Sequence, residues 1–286
     1  DDDVAGVRVQ PTSLSVTENG PSGSLTISLT SQPTANVTIP LSAGSGQITV
    51  SPAAVVLGVA NWDTGGSVTV TAVDDAVADG TQPTQVNLGP TQSADPMYSD
   101  LPVPAVPVQA QDNDIAGVVV DPQDVGLLEG GPAAEYSLVL TSQPTGNVVI
   151  TATPGSAQVR LGSAGAGESV TRTFTPGNWS TPQSIAVAAV NDDVAEGVLV
   201  TAITHTASGY GAVSIASTTV RVTDDDSPGI HVVPTGLTVS EPNGSATVTI
   251  SLTSQPTADV TIPVSTASDE IGVSPSSVTL TSANWQ

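Results

Sequence analysis

The stretch GSLTISLTSQPTANVTIPL, residues 23–41, alternates apolar and polar side chains on both sides of a Gln-Pro turn. A period of two predicts strands with one buried and one solvent-facing side, and proline fixes φ in the turn between them. The sequence has no stretch with a convincing helical period. We therefore predict an all-β protein. The alternating apolar positions are Leu25, Ile27, Leu29, Val37, Ile39 and Leu41.

The pentapeptide TSQPT inside this stretch recurs at nearly equal intervals, at 30–34, 141–145 and 253–257. The match extends to an Asp-x-Asp-x-x-Gly motif and to Asn-Trp pairs, and a fixed period of this kind indicates tandem modules. About seven short strands in roughly 110 residues is typical of an immunoglobulin-like β-sandwich. We predict tandem sandwiches arranged as an extended rod, with modules at residues 1–114, 115–226 and 227–286, the last one partial.

The composition limits the classes of partner. The 286 residues include 27 acids, four Lys or Arg residues and no cysteine, for a net charge of −23. Without a basic patch the chain cannot displace the counterions of nucleic acid. The sequence contains no run of 18 apolar residues, so direct membrane insertion is not expected. The lack of cysteine excludes disulfide and thiolate chemistry. The charge favours cations as partners.

Acidic residues recur at fixed offsets in the repeats. A glutamate follows each Asp-x-Asp at the same offset, and an acidic loop reads DDAVADG at 74–80 and NDDVAEG at 191–197. Alternate connections of a sandwich meet at one pole, and strand alternation would place both carboxylates of Asp-x-Asp on one side. Carboxylates without His or Cys suit Ca²⁺. The alternative interpretation is that Asp, Asn and Gly simply form polar turns.

These motifs resemble those of the Calx-beta family, through VDDAVADG at 73–80 and through Tyr98 and Tyr210, which precede an Asp-x-Asp by the same distance. The resemblance covers two complete modules and part of a third. It implies Calx-beta-type sandwiches that bind Ca²⁺ through the early glutamate, the acidic loop and the Asp-x-Asp. The ligands that it implies are Glu18, Asp74, Asp75, Asp79, Asp112 and Asp114 in the first module, and Glu129, Asn191, Asp192, Glu196, Asp224 and Asp226 in the second.

The sequence departs from the family pattern in three places. Asn191 replaces an acid, and the loop LSAGSGQ at 41–47 lacks the aspartate ligand of the exchanger modules. The third module keeps Glu241 and offers Asp269 and Glu270, but no acidic loop or Asp-x-Asp follows them. Fewer carboxylates imply fewer ions per module or weaker binding. Asp1 and Asp3 would belong to the site of a preceding module.

We interpret the chain as an extracellular structural or adhesive protein of the cell surface, a calcium-stiffened stalk or filament in which neighbouring repeats contact one another. One alternative is a Ca²⁺-sensing regulatory module, as in exchangers. Another is a homo-oligomeric filament in which a second subunit completes residues 227–286 by strand addition; otherwise the native chain continues there.

Enzymatic activity is not expected. No nucleophile motif occurs, and His205 and His231 stand near no recurring serine or acid. We expect both histidines at the surface. The Asn-Trp pairs are expected to supply packing aromatics, and the prolines at 102, 104 and 107 predict that the last strand of the first repeat lies at a sheet edge.

Overall fold

A computed structural model describes residues 3–286, which form strands and loops without a helix. It follows that none of these residues belongs to a helix that could span a membrane. The strands of residues 1–114 are β1 (Val7–Gln10), β2 (Leu14–Thr17), β3 (Gly23–Leu29), β4 (Val37–Ala43), β5 (Ile48–Ser51), β6 (Ala54–Leu57), β7 (Gly66–Ala72), β8 (Gln82–Leu88), β9 (Gln92–Ser93) and β10 (Val106–Gln111).

Residues 115–226 repeat this pattern with nine strands, and residues 227–286 contain four. The former are β11 (Val118–Asp121), β12 (Asp124–Leu128), β13 (Ala134–Leu140), β14 (Val148–Pro154), β15 (Val159–Leu161), β16 (Val170–Phe174), β17 (Gln183–Ala189), β18 (Val198–Ser208) and β19 (Thr218–Thr223). The latter are β20 (Ile230–Val233), β21 (Thr249–Leu252), β22 (Val260–Pro263) and β23 (Ser277–Leu280).

Each of the first two repeats forms two sheets. In the first, the strand orders are β1-β3-β7-β5 and β2-β10-β8-β4-β6, with β9 beside β4. In the second, they are β11-β13-β17-β15 and β12-β19-β18-β14-β16. The pairs β2–β10 and β12–β19 are parallel, and the other pairs of these sheets are antiparallel. The prediction of an all-β, immunoglobulin-like sandwich is confirmed.

The chain divides into two compact units. Unit one contains the residues up to Ala116 together with Thr141–Gly146, and unit two contains Gly117–Leu140 and Asn147–Gln286. The short segment 141–146, which includes the second TSQPT, therefore clusters with the first repeat. In the third repeat, β20 pairs with β21 and β22 pairs with β23.

The period-two pattern places the core between the two sheets. In the first repeat, Leu25 and Ile27 of β3 are fully buried, as are Val68 and Val70 of β7. Trp62 packs against this cluster, as expected for the Asn-Trp pair. The neighbouring Asn61 accepts a 2.8 Å hydrogen bond from the Gly58 backbone through Oδ1, so the asparagine shapes the turn that positions the ring.

The expectation of an edge position for the last strand of the first repeat was wrong. Strand β10 lies between β8 and β2. Proline is tolerated at residue 107 because the parallel pairing with β2 begins only at Val108, so β10 has a ladder neighbour on one side at that point.

The TSQPT turn carries the chain from one sheet to the other, between β3 and β4 in the first repeat. Its threonine hydroxyl donates a 2.6 Å hydrogen bond to the carbonyl 26 residues earlier in all three repeats: Thr30 to Val4, Thr141 to Ile115 and Thr253 to Ser227. The turn therefore anchors the entry segment of each repeat.

Two other positions of the repeat depend on this turn. A Cβ at Gly6 would lie 3.1 Å from Thr30 Oγ1, and one at Gly229 would lie 2.8 Å from Thr253 Oγ1, which explains the glycine of Asp-x-Asp-x-x-Gly. Tyr98 is buried, and its hydroxyl donates a 2.6 Å hydrogen bond to the Ser31 carbonyl. The tyrosine that marks the family resemblance thus holds the TSQPT turn.

His205 is buried, so the expectation that it lies at the surface was wrong, whereas His231 is exposed. His205 Nδ1 lies 2.8 Å from the Ala216 carbonyl oxygen, and Nε2 lies 2.9 Å from the Tyr136 hydroxyl. The carbonyl can only accept, so Nδ1 carries the proton and Nε2 accepts from the tyrosine. Burial lowers the pKa of His205 and raises that of Tyr136.

This arrangement predicts that His205 stays neutral in the folded protein below its ordinary pKa of about 6.5. The unfolded chain then binds the proton first, so the contribution of His205 to stability is lost as the pH falls from about 6.5 through the folded-state pKa. In a His231→Gln variant, where His205 is the sole histidine, we expect an NMR titration of the ring to show a midpoint below about 6.5. A midpoint at or above that value would contradict the buried neutral pair.

Candidate metal centres

The first acidic cluster forms where two parallel strands end together. Strands β2 and β10 are paired up to Thr17 and Gln111, and the Glu18 backbone N–H then donates to the Gln111 carbonyl at 2.9 Å. The next residue of each strand is acidic, so Glu18 and Asp112 become neighbours. Carboxylate oxygens of Glu18, Asp112 and Asp114 all lie within 4.8 Å of one another.

The second repeat builds the same cluster by the same pairing. Strands β12 and β19 end together, and the Glu129 backbone N–H donates to the Thr223 carbonyl at 2.9 Å. Here four residues offer carboxylate oxygens within 4.8 Å of one another: Glu129, Asp224, Asp225 and Asp226.

A turn, not strand alternation, brings the two carboxylates of Asp-x-Asp together. Strand β10 ends at Gln111, before the motif, and Asp112 Oδ1 accepts a 2.7 Å hydrogen bond from the Asp114 backbone. The same bond joins Asp224 Oδ1 and the Asp226 backbone at 2.8 Å. The expectation that strand alternation would place them on one side was therefore wrong, although the two carboxylates do meet.

The other oxygen of the leading aspartate holds the acidic loop. Asp112 Oδ2 accepts a 2.6 Å hydrogen bond from the Gly80 backbone, and Asp224 Oδ2 accepts one of 2.7 Å from Gly197. Each loop also bends through its second residue, because Asp75 Oδ1 accepts from Val77 N and Asp192 Oδ1 accepts from Val194 N, both at 2.8 Å.

The acidic loops affect the clusters more through the electrostatic field of their charges than through direct contact. Asp74 receives a 3.1 Å hydrogen bond from the Asn113 amide, and together with Asp75 it raises the pKa of Asp114, after burial and Asp112 as the larger causes. The carboxylate of Asp79 is not part of the first cluster. Nor are the carboxylates of Asp192 and Glu196 part of the second.

Two residues of the second centre were missed from the sequence. Asp225 joins the cluster, and the only signal for it was the uninterrupted run of three aspartates at 224–226. Gln158 donates through Nε2 to Asp192 Oδ2 at 3.0 Å and to Glu196 Oε2 at 2.7 Å. This neutral amide bridges two acids of the loop and satisfies one oxygen of each, while their negative charge remains.

The backbone after the buried glutamate is left-handed in both repeats, with φ of 53° at Asn19 and 63° at Gly130. In the second repeat a Cβ at this glycine would lie 2.8 Å from Asn191 Oδ1 and 3.1 Å from Asp225 Oδ2. Glycine therefore relieves backbone strain and leaves room for the polar side chains around the cluster.

The buried glutamates are in an unfavourable environment. Glu18 and Glu129 are 5% and 2% exposed. Burial, followed by repulsion from Asp75 and Asp112, raises the pKa of Glu18. Burial, followed by contact with Asp224, raises the pKa of Glu129 to about 7. Among the described residues, no donor reaches Glu18 Oε2, Asp114 Oδ2 or either carboxylate oxygen of Glu129.

These orphaned oxygens fit a hard divalent cation. Calcium takes oxygen ligands at about 2.3–2.6 Å, so two ligands of one ion lie at most about 5 Å apart. The mutual separations of 4.8 Å or less meet this condition. Both clusters are made of carboxylates, which suits Ca²⁺ or Mg²⁺ better than a softer metal.

The third repeat has no comparable cluster among residues 227–286. Glu241, the counterpart of the two buried glutamates, is exposed, and so are Asp269 and Glu270. Asp1, which the sequence assigned with Asp3 to a preceding site, lies outside the described residues.

Comparison with solved structures gives low-scoring similarities. "Calcium binding domain CBD12 of CALX1.1" has a TM-score of 0.34 at 13% identity, covering 76% of this chain and 99% of that one. The apo form of the Calx CBD1 domain has a TM-score of 0.31 at 20% identity, covering 39% and 98%. The periplasmic chaperone SfaE has a TM-score of 0.31 at 12% identity, covering 77% and 100%. Scores of this size establish neither a site nor a function.

No curated protein sequence matches the chain. A family comparison, in contrast, matches the Calx-beta domain at residues 223–272. The match begins just before the Asp-x-Asp at 224–226 and includes Glu241 and the third TSQPT. Residues 223–272 thus carry a Calx-beta-type domain.

Proposed function

We propose that the chain is part of an extracellular structural or adhesive protein, in which calcium at the acidic clusters stiffens an array of β-sandwiches used as a stalk or filament. The observation that carries this proposal is the pair of carboxylate clusters, each built around a buried glutamate with unpartnered oxygen, formed by the same strand pairing in two repeats. A buried anion without a partner is costly, and a bound cation removes that cost.

The position of the clusters supports a mechanical role. Asp114 directly precedes Ile115, whose carbonyl accepts the Thr141 hydroxyl within unit one. In unit two, Asp226 directly precedes Ser227, whose carbonyl accepts the Thr253 hydroxyl. A cation that fixes these aspartates would restrain the linker at the point where the next repeat begins.

In each proposed centre, the glutamate and the two aspartates of Asp-x-Asp would hold the ion directly, joined in the second centre by Asp225. The residues of the acidic loops would stabilise the ion through their electrostatic field or coordinate it through water. They are Asp74 and Asp75 in the first centre, and Asp192, Glu196 and the amide oxygen of Asn191 in the second. Asp79 is not a member of the first cluster. The ion supplies positive charge and no reaction chemistry.

We expect Glu129→Gln to change stability in opposite directions with and without calcium. In the metal-free protein the raised pKa of Glu129 means that the folded state holds a proton that the unfolded state releases above about pH 4.5. Stability therefore falls as the pH rises through about 7, and the neutral glutamine removes this fall. With calcium, the same change should weaken binding at the second centre by on the order of tenfold or more, since a buried ligand charge is lost.

Thermal unfolding of wild type and variant, compared at each pH between about 4.5 and 8.5, separates the two effects, because the contribution of His205 is common to both proteins. Glu135→Gln, an exposed acid on β13 of the same repeat, is the matched control and should alter neither. Calorimetric titration of Glu18→Gln and Glu129→Gln should each show the loss of one class of sites. Wild-type calcium binding in both variants would refute the assignment of these clusters.

The stalk mechanism predicts that calcium reduces bending at the linkers. Small-angle X-ray scattering should show a larger maximum dimension and a more rod-like profile with calcium than with a chelator. The Glu18→Gln, Glu129→Gln double variant should resemble the chelated protein in both conditions. Identical wild-type profiles would remove the stiffening mechanism while leaving calcium binding intact. Millimolar affinity would suit an extracellular stalk, and micromolar affinity would favour the sensor alternative.

A further inference from the structure

The Gln-Pro part of the TSQPT turn makes the same contact in two places. In unit one, the Gln143 backbone N–H donates to the Ala76 carbonyl at 2.6 Å. In unit two, the Gln255 backbone N–H donates to the Asp193 carbonyl, also at 2.6 Å. Ala76 and Asp193 hold the third position of the two acidic loops, DDAVADG and NDDVAEG.

The acceptor carbonyl is presented by the bend of the acidic loop. Asp75 Oδ1 bonds the Val77 N–H, and Asp192 Oδ1 bonds the Val194 N–H, so the residue between them sits at the apex of a side-chain-closed turn. The carbonyl of that apex residue accepts the glutamine N–H. The geometry recurs although the apex side chain differs.

Apolar residues of the loop and of the turn line one cleft in unit two. Val194 and Ala195 of the acidic loop line a cleft together with Pro228, Gln255 and Pro256. The Val-Ala pair follows the apex in both loops, as Val77-Ala78 and Val194-Ala195. All four of these residues are partly buried, although they lie in a loop that is otherwise mostly exposed.

The first repeat carries the same turn without this contact. Within residues 3–286, no acceptor reaches the Gln32 backbone N–H. Gln32 is exposed, whereas Gln143 and Gln255 are partly buried. The preceding serine follows the same trend: Ser31 is partly buried, while Ser142 is 0% and Ser254 6% exposed.

We propose that the TSQPT turn is a docking element for the acidic loop of another repeat, and that residues 31–35 of the first repeat form a docking surface for such a loop. The partner is a sandwich of this same type whose loop reads Asp/Asn-Asp-x-Val-Ala-Asp/Glu-Gly. The turn supplies one backbone donor, and the loop supplies one apex carbonyl and its Val-Ala pair. Pro33 is already buried, so the exposed part of this surface is Gln32 and Thr34. The docking hydrogen bond joins two main-chain groups, although Asp75 and Asp192, which bend the loop, also lie beside the proposed calcium centres.

Hydrogen exchange of the three glutamine amides tests the docking contacts in the chain as it is. All three amides have the same neighbours, Ser before and Pro after, so their unprotected exchange rates match. We expect Gln143 and Gln255 to exchange on the order of tenfold or more slowly than Gln32. Equal rates for all three would overturn the proposal.

An extended chain tests the free surface. Residues 115–223 are placed before residue 1, so that Asp1–Asp3 continue the added repeat as the identical Asp224–Asp226 would. We expect exchange at Gln32 to slow on the order of tenfold, to the level of Gln143. The Thr34 amide, which is already bonded to Asp95 Oδ2 at 2.7 Å, is the local control and should not change.

Two outcomes would overturn the docking surface: unchanged exchange at Gln32, or equal slowing at Gln32 and Thr34, which would indicate general stabilisation only.

A Gln32→Pro substitution in the extended chain removes the donor. It should lower the unfolding temperature of the extended chain more than that of the original chain, where the same substitution breaks no such bond. Equal decreases would count against the contact. Calcium is held constant throughout, so a failure here would leave the calcium proposal standing.

Discussion

The parallel pairing of β2 with β10, repeated by β12 with β19, is the constraint on which the two acidic centres depend. Parallel strands that end together deliver their next residues to one place, here Glu18 beside Asp112 and Glu129 beside Asp224. The glutamates are buried, and unit charges this close repel by about 1 to 4 kcal/mol. The fold thus concentrates mutually repelling carboxylates at the end of a strand that leads directly into the next repeat.

The sequence predicted the features that depend on spacing. Period-two patterns indicated strands, and the fixed offsets of Glu18 and Asp112 indicated that distant carboxylates converge. It could not give the local geometry after the strand ends. Strand alternation predicted that the middle residue of Asp-x-Asp points away, but an Asx turn follows β19, and Asp225 joins the cluster.

Long-range partners explain the other differences. His205 was expected at the surface because it stands near no recurring serine or acid in the sequence. Its partners are Ala216 on the following segment and Tyr136 at a sequence separation of 69. The corresponding position of Tyr136 in the first repeat is Leu25, so the repeat alignment gave no sign of a polar pair in the core. Similarly, Gln158 reaches Asp192 of the acidic loop at a sequence separation of 34.

The identity of TSQPT in all three repeats follows from separate roles for its residues. Threonine holds the entry segment, serine receives the buried tyrosine in the first repeat, and glutamine offers its backbone N–H to an acidic loop in two cases. The acidic loop accepts this hydrogen bond through a backbone carbonyl, so the residue at that position can be either Ala76 or Asp193. Main-chain groups form this hydrogen bond on both sides, so the bond itself requires neither the glutamine side chain nor that of the apex residue. The TSQPT turn must also bind two parts of its own repeat, so its sequence is less free to vary.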